Sequence, residues 1–205
     1  MPRAGWKICV NDAAMQKKLG METSFVGFLD GSRSLRSGEV WTVGEGAILG
    51  AEPEFALRFG ARVEPGMRAD AVRRAIASAA PAIEVVDWSR AKFDLAALAE
   101  SSSFHAGFVV GQPRALETVP RITASCPRFS RGDDVIGTPD PHLVPADLAG
   151  LVLRVSAFLA RYDESIEDGD WLLCGACTNP ARVEAGATIE ADFAELGGVR
   201  VRFEA

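Results

Sequence analysis

Apolar positions recur along the chain with two periods, and the change from one to the other marks out the elements. The clearest helical stretch is residues 146–161, where Leu148, Leu151, Val152, Val155 and Leu159 fall on one face. Residues 68–79 follow a Pro-Gly turn with Ala, Val and Ile at helical spacing, which predicts a second helix. Two short helices are expected at 13–19, closed by Gly20, and at 94–99. Short, apolar or β-branched runs predict strands at 7–10, 40–43, 82–86 and 108–110. Residues 47–60, bounded by glycines, predict a strand kinked at Pro53. Residues 112–145 hold six of the eleven prolines and read as irregular, with one strand at 121–125. Three further strands, 171–174, 188–193 and 199–203, are separated by turn signals at Asp168-Gly169, Gly186 and Gly197-Gly198 and predict a closing meander. Strands outnumber helices, so the pattern points to an α+β domain.

Composition narrows this reading. A chain of 205 residues with 48% hydrophobic and 24% charged residues suits one globular domain spanning 1–205. Every apolar run is broken well before the ~18 residues that a membrane helix needs. The start, Met1-Pro2-Arg3-Ala4-Gly5-Trp6-Lys7, has no apolar core of a signal peptide, so a cytoplasmic protein without membrane contact is expected. Twenty-two basic against 28 acidic residues give a net charge of −6, with no cationic stripe of the kind nucleic acid requires. The two histidines, His105 and His142, exclude a multi-histidine metal site. The four cysteines are read as small buried free thiols. Cys174-Gly175-Ala176-Cys177 has redox spacing but no second CxxC to complete a zinc knuckle, and Thr178-Asn179-Pro180 after it reads as a turn.

The chemistry concentrates in glutamates. Glu52-Pro53-Glu54 lies in a strand-like segment, where a period of two puts both carboxylates on one face. Two carboxylates held together repel each other unless a cation neutralises them, and a hard divalent ion such as Mg²⁺ or Mn²⁺ accepts oxygen ligands. Glu84 sits in the apolar run Ala82-Ile83-Glu84-Val85-Val86, where a lone charge is costly unless paired or bound to metal. The alternative is that Glu52 and Glu54 face solvent while Glu84 pairs with an arginine.

An ordered set of segments adds to this. Gly5-Trp6-Lys7-Ile8, Gly27-Phe28-Leu29, Glu52-Pro53-Glu54-Phe55-Ala56, Ala82 to Asp87, Phe108-Val109-Val110-Gly111 and Gly169 to Gly175 occur in sequence. Together they resemble the hydratase and decarboxylase branch of the fumarylacetoacetate hydrolase superfamily, which includes 2-keto-4-pentenoate hydratase and 4-oxalocrotonate decarboxylase. The resemblance implies a mixed β-roll with few helices, a Mg²⁺ or Mn²⁺ ion held by Glu52, Glu54 and Glu84, and a small 2-oxo or 2-hydroxy-dienoic acid as substrate. It also implies a lyase of aromatic catabolism, in which the metal polarises the keto group and stabilises the enolate. Lys7 matches the family's G-x-K-I lysine and is implied as a charge partner or proton-transfer group at the substrate. Ser102, within the family's Asp-Asn-Ala-Ser stretch, is implied to touch substrate.

The departures from the family pattern matter too. Phe25 stands where hydratases commonly carry an Asp, whereas Gly27-Phe28-Leu29 and Lys92-Phe93-Asp94-Leu95 look more like the decarboxylases. The Asp-Asn-Ala-Ser stretch reads Glu100-Ser101-Ser102-Ser103. Asp87 could hold a metal-bound water, and His105 reads as a strand cap or, with Glu100, as a water-activating pair. His142 is expected to be exposed, and Trp6, Trp41, Trp88 and Trp171 to serve in packing. Other readings are an acylpyruvate C–C hydrolase, or a non-catalytic oxo-acid-binding or partner subunit associated with a related lyase. The G-x-K-I strand lies almost at residue 1, ahead of which relatives usually carry a helical segment. Loss of that cover should expose apolar surface, so a homo-oligomer is expected. Light scattering at working concentration should give more than one monomer mass, and a monomeric mass would refute this.

Overall fold

The computed structural model describes residues 2–89, 92–118, 126–140 and 142–205. In chain order the elements are β1 (Arg3–Cys9), α1 (Ala13–Lys18), β2 (Phe25–Asp30), β3 (Ser34–Arg36), β4 (Val40–Thr42), β5 (Leu49–Phe59), α2 (Ala69–Ala75), β6 (Ile76–Asp87) and α3 (Leu95–Glu100). There follow β7 (His105–Val110), β8 (Arg114–Ala115), β9 (Arg128–Arg131), β10 (Asp134–Gly137), α4 (Leu148–Leu159), β11 (Trp171–Ala176), β12 (Ala181–Val183), β13 (Thr188–Asp192) and β14 (Gly198–Glu204).

A nine-stranded sheet runs β2-β1-β11-β5-β6-β7-β3, with β12 also on β5 and β8 also on β6. A five-stranded sheet runs β10-β9-β13-β14-β4. The pairs β1–β11, β3–β7 and β4–β14 are parallel and the others antiparallel, so the expected mixed α+β architecture is observed. β5 and β6 form the spine, paired without a break from Leu49↔Asp87 to Leu57↔Ala79.

The large sheet has two different faces. On one, Phe55, Leu57, Ile83 and Val85 join Phe129, Ile189, Phe193, Val201 and Phe203 of the small sheet in the main core. Phe55 meets Phe193 edge-on, with ring centroids 4.9 Å apart. α4 adds Leu151, Val152, Val155 and Leu159, and α2 adds Val72 and Ala75. The other face holds a smaller cluster of Leu29, Ala56, Ala80, Ala82, Phe108, Val110 and Leu173. Three of its members are alanines, and these small side chains let the sheet curl inward, as in the interior of a small roll. The curl brings β2 toward β7: the Asp30 amide lies 3.4 Å from His105 Nε2.

Two prolines sit inside the two central strands, where a missing N–H would normally break a ladder. Each falls where the neighbouring strand changes. The Pro53 carbonyl accepts from Cys177, between β11 and β12, and the Pro81 carbonyl accepts from Gly111, between β7 and β8. The expected kink at Pro53 is therefore not a break: its pairing to Ile83 continues the β5–β6 register.

Other expectations are corrected. The helix expected over 68–79 ends at Ala75, because residues 76–79 are drawn into β6 by pairing with β5. The closing meander does not form. β13 and β14 pair with each other in the small sheet, but β11 lies between β1 and β5 in the large one. β2 answers to no expected strand, and β9–β10 form a hairpin inside the stretch read as irregular. The strand expected at 121–125 lies outside the described residues. Cys9, Cys174 and Cys177 are buried free thiols as expected, but Cys126 is exposed.

Because Ala82 faces the tight interior of the roll, Ala82→Leu should destabilise the protein by about 1–3 kcal/mol through overpacking. Urea denaturation measures this, and an unchanged midpoint would show that the interior has room to spare.

Candidate metal centre

The glutamates meet on the concave face. Glu52 and Glu84 are direct cross-strand partners, and Glu54 lies two residues along β5 on the same face. One carboxylate oxygen from each lies within 4.8 Å of the others. Glu54 and Glu84 are each 1% exposed, while Glu52 is half-buried.

Lys7 reaches the same point from β1. In a flat sheet the three strand spacings from β1 to β6 would hold it roughly 14 Å away. The curl closes that gap, and Lys7 Nζ donates directly to Glu84 Oε1 with both groups buried. Lys7 is 2% exposed, so it is not a solvated terminal residue. His105, the first residue of β7, approaches the same oxygen: Nδ1 lies 2.7 Å from Glu84 Oε1. Its Nε2 accepts from the Asp30 amide, which leaves Nδ1–H as the donor to Glu84. Glu84 thus pairs with a lysine and a histidine, not with an arginine.

Glu54 is held from the other side. The β11–β5 register shifts between Leu173 and Ala176, a bulge with Gly175 at φ 101°. This left-handed turn points the Gly175 N–H at Glu54 Oε2, 2.8 Å away. The CxxC segment therefore supplies a bulge. Its two thiols, buried in the core, are pushed well up by burial first and by the Glu54 charge second.

Charge is distributed unevenly across the three carboxyls. Burial, then repulsion from Glu84, pushes Glu52 up to about 7, against a smaller opposing pull from Lys7. Burial raises Glu54 well above the usual range, helped by Glu84 and Glu52. Burial also works against a charge on Glu84, but the Lys7 ammonium and the His105 hydrogen bond outweigh it and hold that carboxyl low. Lys7 behaves in the mirror sense: burial disfavours its charge, yet Glu84 keeps it protonated.

The residues fit a hard divalent cation. Glu84 Oε2 is buried without a hydrogen-bond partner, the one such side-chain atom among the described residues. It is kept free because Lys7 and His105 both take Oε1. An orphaned carboxylate oxygen beside two other carboxylates, in an all-oxygen donor set, is the chemistry Mg²⁺ or Mn²⁺ satisfies.

A cavity of about 470 Å³ opens onto these groups, lined by Lys7, Glu52, Glu54 and Glu84 and further out by Trp88, Leu98 and Phe104. Ser102 is buried with its Oγ accepting from the Phe28 amide, and it is Ser103 that lines the cavity. Asp87 does not join the cluster. Its carboxylate accepts from the amides of Ile48 and Ser89 and ties down a turn. His142 is exposed. Sequence reasoning missed two members. His105 on Glu84 depends on a curl that no local pattern encodes. Trp88 on the cavity wall was signalled by the period of two from Glu84 through Val86.

No family model matches the chain. It is 27% identical over 207 residues to 2-keto-4-pentenoate hydratase 1 of Dechloromonas aromatica (strain RCB), spanning 97% of this chain and 77% of that protein. It is 25% identical over 157 residues to a 4-oxalocrotonate decarboxylase of Pseudomonas sp, spanning 72% of this chain and 58% of that one. Among solved structures, 4-oxalocrotonate decarboxylase from Pseudomonas putida G7, complexed with magnesium and adipate, superposes with TM-score 0.87 at 23% identity, covering 98% and 78% of the two chains. Fumarylpyruvate hydrolase from Pseudomonas aeruginosa, in complex with Mn²⁺ and pyruvate, does so with TM-score 0.77 at 14% identity, covering 100% and 90%. The fold is that of these enzymes. Among the described residues, no helix is long and apolar enough to cross a membrane.

The raised carboxyls give metal-free protein a defined pH response. Their folded-state values lie above the unfolded ones, so the folded state binds more protons and stability falls as pH rises from about 4.5 through 7. With chelator present, the melting temperature should drop between pH 5.5 and 8.5, and Glu52→Gln should flatten the drop. A melting temperature that rises with pH would contradict the assignment.

Proposed function

We infer, from the resemblance to the hydratase and decarboxylase branch of the fumarylacetoacetate hydrolase superfamily that sequence and fold both bear out, that the protein is a divalent-metal-dependent lyase acting on small 2-oxo or 2-hydroxy-dienoic acids. The observation that carries this reading is the carboxylate triad with its unpartnered Glu84 oxygen opening on a cavity. Glu52, Glu54 and Glu84 would hold Mg²⁺ or Mn²⁺. When bound, the ion supplies Lewis-acid polarisation of a 2-oxo acid's carbonyl and stabilises negative charge on its oxygen.

The chain's own residues do the rest. Lys7, locked in its charged form by Glu84, places a fixed positive charge on the cavity wall that draws in an anionic substrate. It acts as a charge partner, because a lysine kept protonated does not accept a proton. His105 and Lys7 together fix the rotation of the Glu84 carboxylate and present Oε2 to the ion. The Gly175 amide does the same for Glu54. The roll keeps water from Glu54 and Glu84, which strengthens each of these interactions.

Hydration and decarboxylation both draw on the same carbonyl polarisation, so the triad serves either. Phe25 packs against the Val86, Leu98 and Phe104 cluster, and no carboxylate reaches the cavity from that position. The hydrolase reading is less well supported: both ring nitrogens of His105 are engaged, by Glu84 and by Asp30, leaving neither to activate water with Glu100.

Calorimetric titration of Mg²⁺ and Mn²⁺ into metal-free protein, with and without oxalate, tests the reading. Binding should be strengthened by oxalate and weakened about tenfold or more in Glu52→Gln. Conversion of 2-keto-4-pentenoate or 4-oxalocrotonate should then require the metal. Folded protein that binds no metal would overturn the lyase assignment and turn attention to a partner role.

A further inference from the structure

Beyond the triad the cavity has an extended apolar stretch, and the further charges in its lining, Asp12 and Lys18, are one of each sign. Glu84 and Val86 of β6 and Trp88 just past its end, whose amide still pairs with the Ile48 carbonyl, follow the period of two, so the wall runs from the carboxylates to an indole within two repeats. The Trp88 ring folds back over β5. A Cβ on Gly50 would lie 2.3 Å from Trp88 Cη2, so only glycine lets the ring lie there. Gly50 precedes Glu52 on the same face of β5, which places the indole next in line to the triad.

The same apolar wall continues from Trp88 into Val86, Leu98 and Phe104, the cluster on which Trp88 packs. Phe93 and Phe104 stack edge-on with centroids 5.2 Å apart, and both line the cavity with Leu98. Phe104 reaches this position through an unusual backbone. Ser102, Ser103 and Phe104 are three successive non-glycine residues at φ 48°, 60° and 64°. Each such residue costs on the order of 1 kcal/mol, and a strained run beside a cavity points to a use for the side chain it aims. Phe93, another lining residue, remains 69% exposed, a large apolar surface.

We propose that this site selects 2-oxo acids whose distal end is a bulky apolar or aromatic group, in preference to a short or a second carboxylate-bearing tail. The inference rests on the metal reading above and names the substrate class of that site. The oxo-acid head takes the triad end, and the tail lies along the wall formed by Trp88, Phe93 and Phe104. A cavity of about 470 Å³ offers more room than a five-carbon acid fills. A substrate of this class carries no distal carboxyl group to release.

The test uses full-length, Mg²⁺-loaded protein titrated calorimetrically with pyruvate, 2-oxoglutarate and phenylpyruvate, with oxalate as the probe of the ion alone. Phenylpyruvate should bind about tenfold tighter than either of the others, from burial of its ring. That preference should shrink to within about threefold in Trp88→Ala and in Phe93→Ala. Phe93 is largely exposed, so its variant decides the matter even if the Trp88 variant does not fold. Equal binding of the three acids, or tightest binding of 2-oxoglutarate, while oxalate binds, would overturn the substrate class and leave the metal site standing. Failure of oxalate to bind would overturn both.

Discussion

The ion pair between Lys7 and Glu84 is the contact on which the site depends. It joins β1 to β6 across two intervening strands, and it closes only because the sheet between them is strongly curled. Both groups are removed from water, so each would be costly to leave alone, and their mutual attraction decides the charge of both. Glu84 stays ionised despite its burial, while Glu52 and Glu54, with no cation of their own among the described residues, are pushed toward their protonated forms. The metal-free site is therefore a pocket with one fixed negative charge, one fixed positive charge and two carboxyls that a divalent ion would have to deprotonate.

The surrounding fold serves that arrangement through small irregularities. Pro53 and Pro81 sit where neighbouring strands hand over, so the two long central strands keep their register through the site. The bulge at Gly175 turns an amide onto Glu54. The alanines at 56, 80 and 82 make the inner face thin enough to curl, and the opposite face carries the large core that holds the sheet in shape. Specific carboxylate geometry thus comes from rigid strands and not from loops, as a site that orients three ligands requires.

The cavity joins this charged end to an aromatic wall. That combination suits a ligand with a chelating head and an apolar tail, and it accounts for features the metal site alone does not need: Gly50 under Trp88, and the left-handed run that delivers Phe104. A solved 4-oxalocrotonate decarboxylase shares the fold, and within one fold the walls around a site are where activities can diverge.

Much of this was written in local sequence. The period of two placed Glu52 and Glu54 on one face, the apolar run marked Glu84 as a charge needing a partner, and the helical stripe of residues 146–161 marked α4. The ordered motifs carried the family resemblance and with it the mixed roll. What local pattern could not decide was which strands become neighbours. Residues 76–79 have helical spacing yet extend β6, because pairing with β5 outweighs weak helix propensity. β11 reads as part of a terminal meander yet lies between β1 and β5. The same long-range pairing brings Lys7 and His105 onto one oxygen of Glu84 and leaves the other free. Side-chain period is a property of a few adjacent residues and survives in the sequence. The curl of a sheet is a sum over contacts between distant strands, and only the folded chain expresses it.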